Sequence, residues 1–299
     1  MWTIVRLTIL ETLRRRLLLL TLIMTAAFLV LFWFLAHSYA ASAVGGTLLS
    51  GGQLLLQNYE SGMTTFFLGL FFIYFMIAFF SIFSLAGAIS GDAESGLLAA
   101  ILPRPLRRAG FLIGKWAGFA IVQAVYVAVM VAGVALIVHF TFPTVHVWTP
   151  RLLLAGAVFI LEAWTVAAVT LLGSVWFSSI ANGIAVSILF GIAFLMGSAD
   201  QLAMGSLAFG ATSSSPGTVV QTLDNVNTAL SLVFPSDGLY RRALYEILGP
   251  GTPVLHTLGT LLGPFGVSTP PGRMFVLYAI LYLVAVLCLA ARSFGRRNL

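Results

Sequence analysis

Six apolar runs constrain this chain more than any other feature: Leu17–Ala36, Phe66–Ser90, Phe111–Val138, Leu152–Phe177, Ile184–Met196 and Met274–Ala291. A helix needs about 20 apolar residues to cross a hydrocarbon core roughly 30 Å thick. Most of the runs approach or exceed that length, and Ile184–Met196 does so once the preceding Ser178–Gly183 is counted in. Hydrocarbon offers no partner for backbone N–H and C=O groups, so each run must close its hydrogen bonds internally as helix. Composition removes the soluble alternative: 60% of the residues are hydrophobic and 8% are charged, against about 25% charged in soluble domains. The expected fold is an all-α integral membrane protein with six transmembrane helices, covering 1–299 as one domain.

Charge then orients the runs. Lys and Arg concentrate on the cytoplasmic side of spanning helices. With six spans, one side holds Arg6, Arg14, Arg15, Arg16, Arg104, Arg107, Arg108, Lys115, Arg292, Arg296 and Arg297, while the other holds only Arg151, Arg241, Arg242 and Arg273. The expectation is a multi-pass protein of the plasma (inner) membrane, with both termini cytoplasmic. A net charge of +6 reflects this flanking pattern, so nucleic acid is not an expected partner. Arg14, Arg15 and Arg16 precede a run of full spanning length with no small-residue cleavage site soon after it, which reads as an anchor and not a cleaved signal. The single cysteine, Cys288, says nothing of redox compartment.

The segments between runs differ in kind. Residues 1–16 mix Trp2, Ile4, Val5, Leu7, Ile9, Leu10 and Leu13 with Arg6, Glu11 and Arg14–Arg16, a pattern for an amphipathic helix lying at the membrane surface. Residues from His37 to about Thr65, rich in Gly and Ser, read as an outer loop. Segment 197–273 is the longest, and it is mixed in character: Ala203–Phe209 and Val254–Leu262 are too short to cross, and Thr222–Leu248 is an amphipathic helix broken by Pro235. It is expected to form extracellular interfacial or re-entrant helices before span six.

The remaining polar break is Ile89–Lys115, with a cytoplasmic loop at 91–110. Asp92 and Glu94 stand where a short helix would begin, favouring its positive end. Leu97, Leu98, Ile101 and Leu102 follow at helical spacing, Pro103 and Pro105 stop the helix, and Arg104, Arg107 and Arg108 lead to Gly114 and Lys115. Such a helix has an apolar face suited to a partner's groove, or to the membrane interface as part of a plain orienting loop. Asp92, Glu94, Gly96, Leu97, Leu98, Pro103, Arg104, Arg108, Gly114 and Lys115 together resemble the cytoplasmic loop of permeases of the type-2 family of ATP-binding-cassette exporters. The six-span order, the N-terminal amphipathic helix and the helical pieces before the last span resemble that family too. The resemblance implies a coupling helix between spans two and three, docking separate ATPase subunits through Asp92, Glu94, Gly96, Leu97, Leu98, Ile101, Leu102, Pro103, Arg104 and Arg108. It also implies a second permease copy, identical or related, with membrane lipid around the pair. ATP and Mg2+ would be held by the partner subunit, and no cofactor is expected in this chain.

The chain carries no nucleotide site of its own. Gly110–Gly114–Lys115 has three residues between its glycines where a P-loop has four, and Trp116 stands where Ser or Thr must reach the metal. The chain is therefore expected not to be an enzyme by itself. Glu162 is the one carboxylate deep inside a run; it lies either on a transport path or in a structural hydrogen bond. His37, His139, His146 and His256 show no metal-ligand spacing, so no metal site is expected. The phenylalanines of span two either line a lipid-like route or are lipid-facing bulk, and mainly lipid-facing bulk is the expectation. Arg241 and Arg242, near Asp237 and Glu246, are expected to hold the outer helices at headgroup level. Two other functions share parts of this pattern. A proton-driven secondary transporter would need an internal repeat and several intramembrane ionisable groups, which are not found, and a membrane scaffold regulated by an ATPase would share the docking loop. An intramembrane enzyme would need a clustered catalytic set, and Glu162 alone is none.

Overall fold

In the computed structural model, residues 2–14, 16–44, 51–94, 108–208, 216–249, 266–267 and 271–296 are described. Among them there is helix and turn but no strand. The helices are α1 (Trp2–Arg14), α2 (Arg16–Val44), α3 (Gly51–Leu85), α4 (Ser90–Glu94), α5 (Arg108–Thr141), α6 (Pro150–Trp176), α7 (Ser179–Ala208), α8 (Pro216–Val233), α9 (Ser236–Leu248) and α10 (Arg273–Arg296). Six of these, α2, α3, α5, α6, α7 and α10, are long and apolar enough to cross a membrane.

The helices run further than the apolar runs do. Residues 51–65 are the first turns of α3, where a loop is expected from their polarity. At 35 residues and a rise of about 1.5 Å per residue, α3 outreaches the hydrocarbon core. Its polar first turns therefore still reach water while their inner face packs. Ser61 and Met63 are buried there, and Gly62 lets α3 approach Phe142 and Val145 so closely that any side chain at 62 would overlap them. The turn expected at Ser178–Gly183 shrinks to Phe177 and Ser178. Thr149 and Pro150 open α6, with proline at the start where its missing N–H is harmless. The Phe177 N–H closes it on Gly173 O at 2.9 Å, and α7 begins at once from Ser179. The fifth span is thus Ser179–Leu202, of full length.

Centre and periphery follow from burial. The spanning windows of α3 and α6 are 67% and 61% buried, while those of α2 and α10 are 17% and 22% buried. The phenylalanines of span two accordingly divide. Phe72, Phe79 and Phe83 are exposed as lipid-facing bulk requires, but Phe66, Phe67, Phe71 and Phe80 are buried in the bundle. Phe71 and Tyr74 pack against Tyr240 of α9, and Tyr74 against Phe190 of α7. The expectation of mainly lipid-facing phenylalanine is corrected to a two-faced helix, because α3 is central and not peripheral.

The first helix, α1, packs along α5. Val5, Thr8 and Thr12 are its buried face, and Gly118 of α5 admits Thr8 and the Val5 carbonyl where a side chain would not fit. Trp2, Leu7, Leu10 and Leu13 stay exposed on the other side. At that same end of the bundle, Phe294 near the end of α10 stacks on Phe111 of α5 with 6.2 Å between rings. The opposite end holds the α5–α6 connection and the end of α9, where Arg151 donates to Leu248 O at 3.3 Å.

Candidate functional site

Two polar centres stand out, one toward one end of the bundle and one near its middle. The first is at the end shared by α1 and the end of α10. Lys115, one turn and more into α5, is only 4% exposed. Its ammonium donates to Ala88 O at 2.6 Å and makes an ion pair with Asp92 of α4. Phe111, one turn before Lys115, places its ring under the same ammonium, 5.8 Å from its centre. Asn182, fully buried, donates to Ala86 O and Thr170 O, both at 2.9 Å. Gly173 and Gly87 leave the room: a side chain at 173 would overlap the Asn182 amide, and one at 87 the Ser179 hydroxyl. The stretch 86–92 is thus bound to α5 through Lys115 and, through Asn182 in the first turn of α7, to α7 and α6.

Of the loop residues singled out in the sequence, Asp92 is buried against Lys115 and Glu94 is exposed. Gly96, Leu97, Leu98, Ile101, Leu102, Pro103 and Arg104 lie outside the described residues, and Arg108 is described only as the first residue of α5.

The second centre is Glu162. It lies twelve residues after Pro150 and fourteen before Trp176, close to the middle of α6. It is fully buried. Ser236 Oγ donates to its Oε1 at 2.7 Å, and Ser236 Oγ also lies 3.2 Å from the Tyr74 hydroxyl. A serine has one proton, so when it goes to the carboxylate the Tyr74 hydroxyl donates in turn to Ser236. Glu162 Oε2 is buried without a hydrogen-bond partner.

Ser236 begins α9, and this fixes how α8 and α9 sit. From Ser236 beside Glu162, α9 runs antiparallel to the first half of α6 until Leu248 meets Arg151. Nearly all of α9 from Ser236 to Leu244 is buried. The break before it, expected at Pro235, falls there: α8 ends at Val233 and Phe234 is buried. Helix ends leave carbonyls unpaired. Here the hydroxyls of Tyr278 and Tyr282 of α10 donate to Leu232 O and to Val233 O, the latter at 2.6 Å.

Arg241 and Arg242 are 2% and 4% exposed, which corrects their expected place at headgroup level. Asp237 lies one turn before Arg241 and Glu246 one turn after Arg242, so each arginine meets its acid on the same face of α9. Arg241 forms a fork on Asp237, with contacts of 2.7 and 3.1 Å, and donates to Gly266 O at 2.9 Å. Arg242 pairs with Glu246 and donates to Pro271 O at 3.0 Å. They hold the approach to α10 against α9. Gly197 of α7 is what admits Asp237, whose carboxylate occupies the volume of any side chain at 197. The i,i+4 acid–arginine spacing was visible in the sequence. The Ser236–Glu162 bond, across 74 positions, left no local trace.

Removing the acceptor tests the Glu162 joint. Glu162→Leu leaves Ser236 and Tyr74 buried without it, a loss of about 1–3 kcal/mol. Glu162→Gln keeps a carbonyl oxygen for Ser236 and is expected to stay within about 1 kcal/mol of wild type. Thermal unfolding in detergent reads both, and equal loss from both variants contradicts the joint.

The histidines form no common site. His37 stacks on Trp33 within α2, His139 sits beside Phe140 at the end of α5, and His146 lines a cavity of about 570 Å³ at the α5–α6 connection; His256 lies outside the described residues. Among the described residues, no group of three or more His, Cys, Asp or Glu side chains is placed to hold a metal ion. No family model matches the chain, and no curated protein matches it significantly.

Proposed function

We propose that the chain is the membrane-spanning subunit of an ATP-driven exporter, converting hydrolysis by a separate ATPase subunit into movement of substrate across or out of the membrane. The observation that carries this reading is the double attachment of residues 86–92, by Lys115 to α5 and by Asn182 to the facing ends of α6 and α7. A loop fixed to three spans at its base is suited to transmit a push into all of them. The cytoplasmic coupling helix would follow α4, with Leu97, Leu98, Ile101 and Leu102 as the apolar face entering the ATPase and Glu94, Arg104 and Arg108 at its margins. Asp92 serves as the anchor of this loop and not as part of its docking face.

In this reading both termini and the coupling loop face the cytoplasm of a plasma (inner) membrane, and α1 lies at that interface with Trp2, Leu7, Leu10 and Leu13 toward lipid. The pair α8–α9 is a re-entrant hairpin from the outer side, reaching Glu162 at mid-depth. The thinly covered α2 and α10 offer the surface for a second permease copy or for lipid. ATP and Mg2+ belong to the ATPase.

Purification of the tagged chain from its native membrane tests the assignment. The expected result is a stoichiometric ATPase bearing a P-loop, identified by mass spectrometry and lost from a chain deleted of residues 96–104. A chain that purifies alone and moves substrate in vesicles without nucleotide overturns the proposal.

A further inference from the structure

We infer that an acid-lined cavity between α7, α8, α9 and the start of α10 binds an organic ammonium group, carried either by a free amine or by a lipid headgroup. The cavity measures about 290 Å³, near the lower end of small-ligand sites at ~300 Å³. Three of the chain's nine acidic residues, Asp200, Asp224 and Asp237, line it. Asp237 is answered by the Arg241 fork. Asp200 and Asp224 make no ion pair among the described residues. Asp200 is the sharper case, being 2% exposed. Its Oδ2 accepts from Asn227 at 3.1 Å, while its Oδ1 is buried with no hydrogen-bond partner.

A buried carboxylate without a counter-charge is costly, and this chain has little to offer it. Of the four basic residues at this end, Arg241 and Arg242 are engaged as above, and Arg151 reaches Leu248 O. Arg273, next to Gly272 on the cavity rim, is exposed and in no ion pair among the described residues. Residues 45–50, 209–215, 250–265 and 268–270 contain no Lys or Arg. With Asp200 and Asp224 both ionised, a positive group from outside the chain would supply the counter-charge that no buried Lys or Arg at this end supplies. A metal ion is disfavoured because no group of three ligating side chains forms among the described residues. An ammonium group suits the lining better. Asp200 Oδ1 and Asp224 supply acceptors, the Ser231 and Thr228 hydroxyls add polar edges, and the Phe275 ring gives a wall for the attached carbons. This inference stands whether or not an ATPase docks at the other end.

Binding is to be measured by calorimetry on the purified full chain in nanodiscs, with ethanolamine and choline in solution as one arm. In the other arm, phosphatidylethanolamine is introduced into phosphatidylglycerol nanodiscs and the unfolding temperature is read. Saturable binding of the free amine, or a stabilisation that appears only with the ethanolamine lipid, supports the site and tells the two sources apart. Asp200→Asn and Asp224→Asn are each expected to weaken the effect about tenfold or more. Glu60→Gln, on an exposed face of α3, serves as the control expected to leave it unchanged. No binding in either arm, binding undiminished from wild type in both aspartate variants, or stabilisation by sodium or potassium ions alone at matched ionic strength overturns the inference.

Discussion

Lys115→Met is expected to destabilise the protein by about 3 kcal/mol, because it takes the paired ammonium away from the buried Asp92 carboxylate. Breaking a buried pair by removing one member costs roughly 3–5 kcal/mol; the lower end applies because the Asp92 side chain keeps 12% of its surface in contact with solvent. Methionine fills the space of the lysine stem and leaves the Phe111 contact, so the loss belongs to the ion pair and to the Ala88 O hydrogen bond. Asp92→Asn with Lys115→Met should recover most of the loss, since no uncompensated charge then remains. Denaturation of the four proteins of this cycle gives the coupling directly. A double variant as unstable as the single one would assign the loss to the Ala88 O hydrogen bond and not to the ion pair. If the segment after Asp92 couples to an ATPase as proposed, Lys115→Met should also lower nucleotide-driven activity even at temperatures where the chain stays folded.

Arg241→Met should cost about 3–5 kcal/mol and release the segment that enters α10. Asp237, 3% exposed, would be left in a space shaped around its carboxylate by Gly197. Gly266 O would lose its donor at the same time. Arg241→Lys is not conservative here. A lysine offers a point charge where the arginine offers a planar fork with a third nitrogen free for Gly266 O, so a loss of about 1–2 kcal/mol is expected. Unfolding of the two variants, with limited proteolysis between residues 249 and 273 as a local readout, checks both. Cleavage there should accelerate in Arg241→Met. A protease pattern identical to wild type in a destabilised variant would show that the pair holds α9 to α7 and not to the approach of α10.

Which parts of this architecture could be read in the sequence follows from the range of the forces involved. The six helices were legible because a bilayer allows an apolar run only one backbone solution. Their outer limits were not, because polarity marks where water begins and not where a helix ends. Residues 51–65 look like a loop by composition, yet they continue α3 by packing Ser61 and Met63 inward. The hairpin break at Pro235 was legible because proline removes a donor. What α9 packs against was not. Ser236 and Glu162 are 74 positions apart, and Tyr74 and Ser236 are 162 apart.

The same limit explains Asp92. Its place at the start of a short helix was readable, but its burial depends on Lys115, 23 residues later. Arg241 and Arg242 were misread because charge suggests a water-facing position. Their acids lie one turn away on the same helix, which makes burial affordable. Glu162 was read as the one carboxylate deep inside a run; it is buried, but so are Asp92, Asp200 and Asp237, and its serine and tyrosine partners could be found only in three dimensions.

The central claim is that the segment after α4 receives a push from an ATPase. Leu98→Asp tests it most directly, because it places a charge in the apolar stripe while leaving Lys115, Asp92 and Asn182 in place. The measurement is the rate of ATP hydrolysis, together with the amount of ATPase retained, for the purified complex in nanodiscs. The account expects Leu98→Asp to elute without the ATPase and to show only the hydrolysis of the free subunit, with the permease folded as judged by its unfolding temperature. A Leu98→Asp complex that retains its ATPase and hydrolyses ATP at the wild-type rate would contradict it.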